Sequence, residues 1–207
     1  MQRVRQDLLG CRSTCHCERQ RQGKTSEAGR GMSGNNRIEE LCAKEDIRDC
    51  LRRYARGVDR ADRDLLKGTY WPEATESHAG RFEGLAHDFV EGVLPQLLEG
   101  KGLAQKLLGQ SYIELLGEHA NVETYFFSYN RIKNKADVFI DLFVGGRYLD
   151  KMERRNSEWR VAKRIVVFDW FREGAAYDYQ AGILGNKRTM GNIAPIDPVY
   201  ELHSKKT

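Results

Sequence analysis

The stretch Ser157–Arg172, SEWRVAKRIVVFDWFR, has the Val, Ile, Phe and Trp content of a buried strand. Yet it holds Lys163 and Arg164 side by side near its middle. Period-two alternation places Ala162, Arg164, Val166, Phe168 and Trp170 on one face and Lys163 on the other. Arg164 is then the one charge on an otherwise apolar surface. A buried guanidinium is costly without a partner, so a carboxylate or a ligand group must stand opposite it. Two readings stay open, a structural ion pair and a wall residue of a ligand site. The partner on offer is Asp59, just past an apolar helix, although an acid among Arg60, Asp62, Arg63 and Asp64 also reads as a solvated helix end.

Three more strand-like stretches precede this one: LAQKLLGQSYIELLG, HANVETYFFSYNRI and DVFIDLFVGGRYLDKMERR. The turn signals LLGEH, KNKAD and RRNSE separate them. These links are too short for helical crossovers, so the sheet is expected to be mostly antiparallel. The first half reads as helical. Ile47, Leu51, Tyr54 and Val58 line one face of a helix over 38–58, and Asp62 is placed to cap a short second helix. Ala86, Phe89, Val93 and Leu97 mark a third, which Pro95 should bend or end early. WPEATESHAGRFEG (71–84) reads as loop with at most a short strand. Helices followed by a meander define an α+β fold, a curved, mostly antiparallel sheet wrapped by three N-terminal helices.

The 207 residues suffice for one domain with a sizeable core. Residues 1–31 read as a basic, disordered leader, and Met32 in MSGNNRIEEL reads as an alternative start. The folded domain is expected over 32–180, with an extended tail over 181–207 that wraps the domain or a partner subunit. The leader carries the whole net charge of +4, so 32–207 are neutral and nucleic acid is not an expected partner. Cys11, Cys15 and Cys17 in the leader match no common zinc spacing. Cys42 and Cys50 fall in the helical pattern as reduced core thiols, and a cytoplasmic location is expected. No run of about 18 apolar residues occurs, so no membrane helix is expected.

No P-loop, paired-histidine metal motif or nucleophile elbow is present. No metal and no cofactor is expected, and acid–base chemistry becomes the default for an enzyme. The groups available for it are Tyr54, Asp59, His78, Lys106, Tyr125, Asn130 and Arg164. Tyr70, Trp71, Phe82, Phe126, Phe168 and Trp170 are candidates for an apolar pocket or for plain core.

IRDCLRRYARGVDRADRDLLKGTYWPEA, ELLGEHANVETYFFSY and GGRYLDKMERRNSEWRVAKRIVVFDW together resemble SnoaL-like proteins of the nuclear transport factor 2 (cone-fold) superfamily, over roughly 38–172. The resemblance implies a deep apolar cone and a homodimer or homotrimer formed through the outer sheet face. It also implies cofactor-independent proton chemistry on hydrophobic ring compounds, as in scytalone dehydratase, bile-acid 7α-dehydratase, ketosteroid isomerase and polyketide cyclases. Tyr54, Asp59 and Arg164 fit dehydratase-like positions. The histidine expected at the start of the first long strand is replaced by Lys106, and Asn130 stands where a histidine often closes the next strand. A lysine in the cone resembles, more loosely, formaldehyde lyases acting on lignin-derived diaryl dimers. The expected activity is therefore a cofactor-independent lyase, by dehydration or retro-aldol deformylation of a hydroxylated aromatic or polycyclic compound. Tyr54, Asp59, Lys106 and Arg164 would be catalytic, and His78, Trp71, Tyr125, Asn130, Phe168 and Trp170 substrate-binding. The alternatives are a ketosteroid-type isomerase and a non-catalytic ligand-binding or assembly module.

Overall fold

The computed structural model of the protein describes residues 34–78, 80–100, 104–178 and 189–204. The leader expected over 1–31 lies outside the described residues, as do 179–188 and 205–207 of the C-terminal region. The elements run α1 (Gly34–Asp59), α2 (Arg63–Lys67), β1 (Tyr70–His78), β2 (Phe82–Leu85), α3 (Ala86–Glu99), β3 (Ala104–Leu116), β4 (His119–Lys133), β5 (Phe139–Arg155), β6 (Glu158–Ala175) and α4 (Val199–Ser204). One curved sheet has the order β2-β1-β6-β5-β4-β3. Every pairing is antiparallel except β1 with β6. The α+β class and the mostly antiparallel sheet follow the expectation.

The helices form for the reasons their spacing gives. Ile47, Leu51, Tyr54 and Val58 are all buried along α1, together with Cys50. Cys42 is exposed and is not the core thiol expected. The Asp62 carboxylate accepts the Leu65 N–H at 3.1 Å and caps α2. Its other oxygen accepts the Tyr200 hydroxyl at 2.7 Å, which ties α4 back to the first helices. Helix α3 runs through Pro95 to Glu99 rather than ending early. Pro95 is exposed, so the carbonyl left without its N–H partner can be hydrated.

The stretch read as loop is a strand pair. β1 runs parallel to β6, and its register is interrupted between Tyr70 and Thr75. Pro72 falls in that interruption, where a missing N–H costs no ladder bond. The hairpin between β5 and β6 turns at Asn156 and Ser157, both at positive φ (51° and 64°), a type I′ geometry.

Two extra residues in β6 break the strict alternation. Met152 faces Val161 while Lys151 faces Lys163, and Gly146 faces Phe168 while Gly145 faces Trp170. Ala162 and Asp169 are therefore bulged. The buried series becomes Trp159, Val161, Arg164 and Val166, and Ala162 leaves the inner face. Trp170 is turned to the outer face, with its ring 5.9 Å from that of Phe127. At Gly146 a Cβ would press into the Val167 carbonyl oxygen and come within 2.9 Å of the Phe126 ring. Gly146→Ala is expected to destabilise the fold by about 1–3 kcal/mol, measured by urea unfolding. An unchanged midpoint would show that the sheet gives way there.

Candidate functional site

The concave face of the sheet and helices α1 and α3 enclose a cavity of 280 Å³. Val58 of α1, Phe89, Val93 and Leu97 of α3, and Phe126, Leu142, Val144, Val166 and Phe168 of the sheet give it apolar walls. Phe89, Val93 and Leu97 are the α3 face expected from spacing. The polar groups reaching it include Tyr54, His78, Lys106, Ser128, Asn130 and Tyr148. Asn130 Nδ2 donates to Ser128 Oγ at 3.2 Å, a polar patch on β4.

Lys106 arrives on β3, opposite Ser128 of β4 and on the inward face. Behind it, Asp59 at the end of α1 accepts the Lys106 backbone N–H at 2.8 Å. Asp59 lines a separate cleft of 510 Å³ between α1 and β3, with Arg48, Arg52 and Arg56, and Lys106 lines both spaces. Burial pushes the Lys106 ammonium below its ordinary pKa of 10.5; Asp59 pulls it back and Arg164 adds to the depression. Burial likewise raises the Asp59 carboxyl from 3.8 to about 7, against the charge of Lys106. The folded state thus holds a proton on Asp59 that the unfolded chain has lost. Its contribution to stability is full below pH ~4 and declines until the pH has passed ~7. Asp59→Asn is expected to flatten the stability profile across that window in thermal melts from pH 4 to 8. A profile parallel to wild type would exclude the shift.

Arg164 is fully buried and lies behind the cavity wall. Its Nε and Nη2 donate to Asp150 at 2.7 and 2.8 Å, a bidentate pair. Its guanidinium carbon sits 4.1 Å from the Tyr54 ring centroid and 4.3 Å from that of Tyr148. The expected partner Asp59 is not the partner. Burial alone would lower the Arg164 pKa, but Asp150, Tyr70 and Tyr54 outweigh it, and the guanidinium stays charged. Nη1 donates to the Tyr70 hydroxyl at 3.2 Å. That hydroxyl donates onward to Glu76, whose other oxygen meets His78 Nε2 at 2.6 Å. The Tyr54 phenol is pushed up, chiefly by burial, and remains neutral.

Of the residues expected from sequence, Tyr54, Lys106, His78, Asn130 and Phe168 meet at this cavity. Arg164 and Asp59 stand one layer behind it. Trp71 lies elsewhere: its Nε1 donates to the Glu153 carbonyl, and Arg155 and Arg160 cover its ring. Tyr125 is exposed beside Arg147, and Trp170 is on the outer face. Glu76, Asp150 and Tyr148 were not foreseen. Alternation along RYLDKM would have placed Tyr148, Asp150 and Met152 inward together. Glu76 and His78 share a face only once 71–84 is recognised as a strand. Among the described residues, no group of three His, Cys, Asp or Glu side chains is placed to hold a metal ion, and no helix is long and apolar enough to cross a membrane.

A curved sheet closed by helices over a polar-spotted apolar cavity is the architecture of the nuclear transport factor 2-like class. The model of the SnoaL-like domain matches residues 39–165, and the chain belongs to that family. Solved structures that share the fold include the following three. One is the hexachlorocyclohexane dehydrochlorinase LinA-type3 from Novosphingobium barchaimii LL02, at 14% identity and TM-score 0.60, covering 69% of this chain and 97% of that one. Another is a candidate scytalone dehydratase from Novosphingobium aromaticivorans DSM 12444, at 16% and 0.56, covering 70% and 94%. The third is an ntf2-like protein with a cystatin-like fold from Novosphingobium aromaticivorans, at 17% and 0.53, covering 67% and 92%. No curated protein matches the sequence.

Proposed function

We propose that the protein is a cofactor-independent lyase that eliminates a small leaving group from a hydroxylated, largely apolar ring compound. The observation that carries this reading is Lys106, an amine with a lowered pKa that lines an apolar cavity. Such a lysine gives up its proton more readily than a solvated one and can then act as a base. In this reading Lys106 removes a proton from carbon, and Asp59 is the positioning residue that sets the charge behind it. Tyr54 and the Asn130–Ser128 patch hold substrate oxygens. Arg164 fixes Tyr54 and Tyr148 in place and does not touch substrate. A dehydrochlorinase and a candidate scytalone dehydratase share the fold, and both names describe eliminations, which supports the reaction class.

Incubation with hydroxylated steroids, lignin-type diaryl dimers and β-substituted aryl ketones, followed by mass spectrometry, tests the reading. Loss of water supports dehydration, and loss of formaldehyde supports retro-aldol deformylation. Turnover that survives Lys106→Met would remove lysine from the chemistry. The outer sheet face exposes Leu107, Tyr112, Phe127, Ile165 and Trp170, an apolar surface of the kind that subunits cover. The homodimer or homotrimer is proposed to form there, and a monomer in sedimentation would exclude it.

A further inference from the structure

His78 lines the cavity and is paired with the buried Glu76 behind it, and the lyase reading gives the two no task. Glu76 is 1% exposed, and both its oxygens are engaged. One accepts the Tyr70 hydroxyl, which is itself held by Arg164, and the other meets His78 Nε2 at 2.6 Å. The carboxylate is thereby kept from turning away from the imidazole. The ring is also stacked on Phe89, with centroids 4.3 Å apart and planes at 20°. A histidine fixed at Nε2 and along one face keeps Nδ1 for proton transfer. His78 enters the cavity on β1 and Lys106 on β3, with β6, β5 and β4 between them in the sheet. The two groups therefore flank whatever the cavity holds.

We propose that His78 is the general acid of the elimination and that Glu76 positions it. The proposal rests on the lyase reading and names its substrate class, β-hydroxy carbonyl compounds. The Lys106 amine takes the proton from the carbon beside the carbonyl. The released C–H electron pair forms the C=C bond, and the C–O bond breaks toward oxygen. The imidazolium proton passes from Nδ1 to that oxygen, which leaves as water. Solvent exchange then removes the proton from the lysine and restores one to the histidine. Hydroxide is a poor leaving group and needs the acid, whereas acetate does not.

The test uses two probes with one product: the aldol of benzaldehyde and acetone, and its acetate ester. Both eliminate to benzylideneacetone, which is followed by its absorbance. His78→Gln is expected to slow the hydroxy probe by about 10²-fold while the acetate changes only slightly. Glu76→Gln should act in the same direction, with partial recovery in Glu76→Asp. In the wild type, the solvent deuterium effect should be larger for the hydroxy probe than for the acetate. Equal deuterium effects, or equal losses on both probes in a variant with an unchanged melt, overturn the acid role and leave the lyase reading standing. A wild type that eliminates neither probe overturns both.

Discussion

Lys106→Met leaves a folded protein that has lost about 10²–10⁴-fold of its turnover. Methionine keeps an unbranched stem and removes the amine. Lys106 makes no ion pair among the described residues, so the substitution orphans no charge except by relaxing the field on Asp59. Stability should therefore move little. The wild-type rate should rise with pH as the ammonium loses its proton, and that limb lies below the ordinary lysine range because burial depresses the pKa. Asp59 opposes the depression. Asp59→Asn should thus shift the rising limb to lower pH, while Lys106→Met abolishes the limb. A limb that disappears in Asp59→Asn and survives in Lys106→Met would mean that Asp59, not Lys106, is the titrating base. Steady-state rates of wild type and both variants from pH 5 to 10 decide between them.

Much of this fold lies in local pattern. The α1 face, the Asp62 cap, the α3 lining and the three hairpin turns each follow from residue type and short spacing. The failures of register in β6 share one cause, departure from ideal strand geometry. Counting back from the Asn156–Ser157 turn without a bulge pairs Asp150 with Lys163. The bulge at Ala162 moves the register by one, and Asp150 meets Arg164 instead. The same kind of insertion at Asp169 sends Trp170 outward although its neighbour Phe168 faces the cavity. Bulges leave almost no trace in one sequence, because the extra residue can be any type that tolerates a kink. The β1 strand was hidden for a related reason. Its Pro72 signals loop, and the parallel partner that makes it a strand lies about ninety residues away. Lys106 was legible because its place depends on one long strand and its hairpin partner. The buried Glu76–Tyr70–Arg164 chain was not, since it needs three strands in their final register.

The second large effect concerns Arg164 and Asp150, and it separates the two readings left open at the start. Removing one partner of a buried, bidentate pair leaves an uncompensated charge and costs about 3–5 kcal/mol. Arg164→Met and Asp150→Leu should each lower the urea-unfolding free energy by about that much. Both residues have fully buried side chains, so little screening softens the loss. The double variant should recover a large part of it, because an apolar pair of similar volume needs no desolvated charge. Recovery will be incomplete, as Tyr70 loses the Arg164 donor and Glu76 the cation nearby. Two single losses that simply add would show that the pair is not coupled. A wall residue of the ligand site would behave differently, losing activity with little change in unfolding free energy. The bidentate geometry and the two flanking tyrosine rings place Arg164 in the first class. Its influence on chemistry then runs through Tyr54, Tyr148 and the hydroxyl that holds Glu76, and the double variant should regain stability without regaining full turnover.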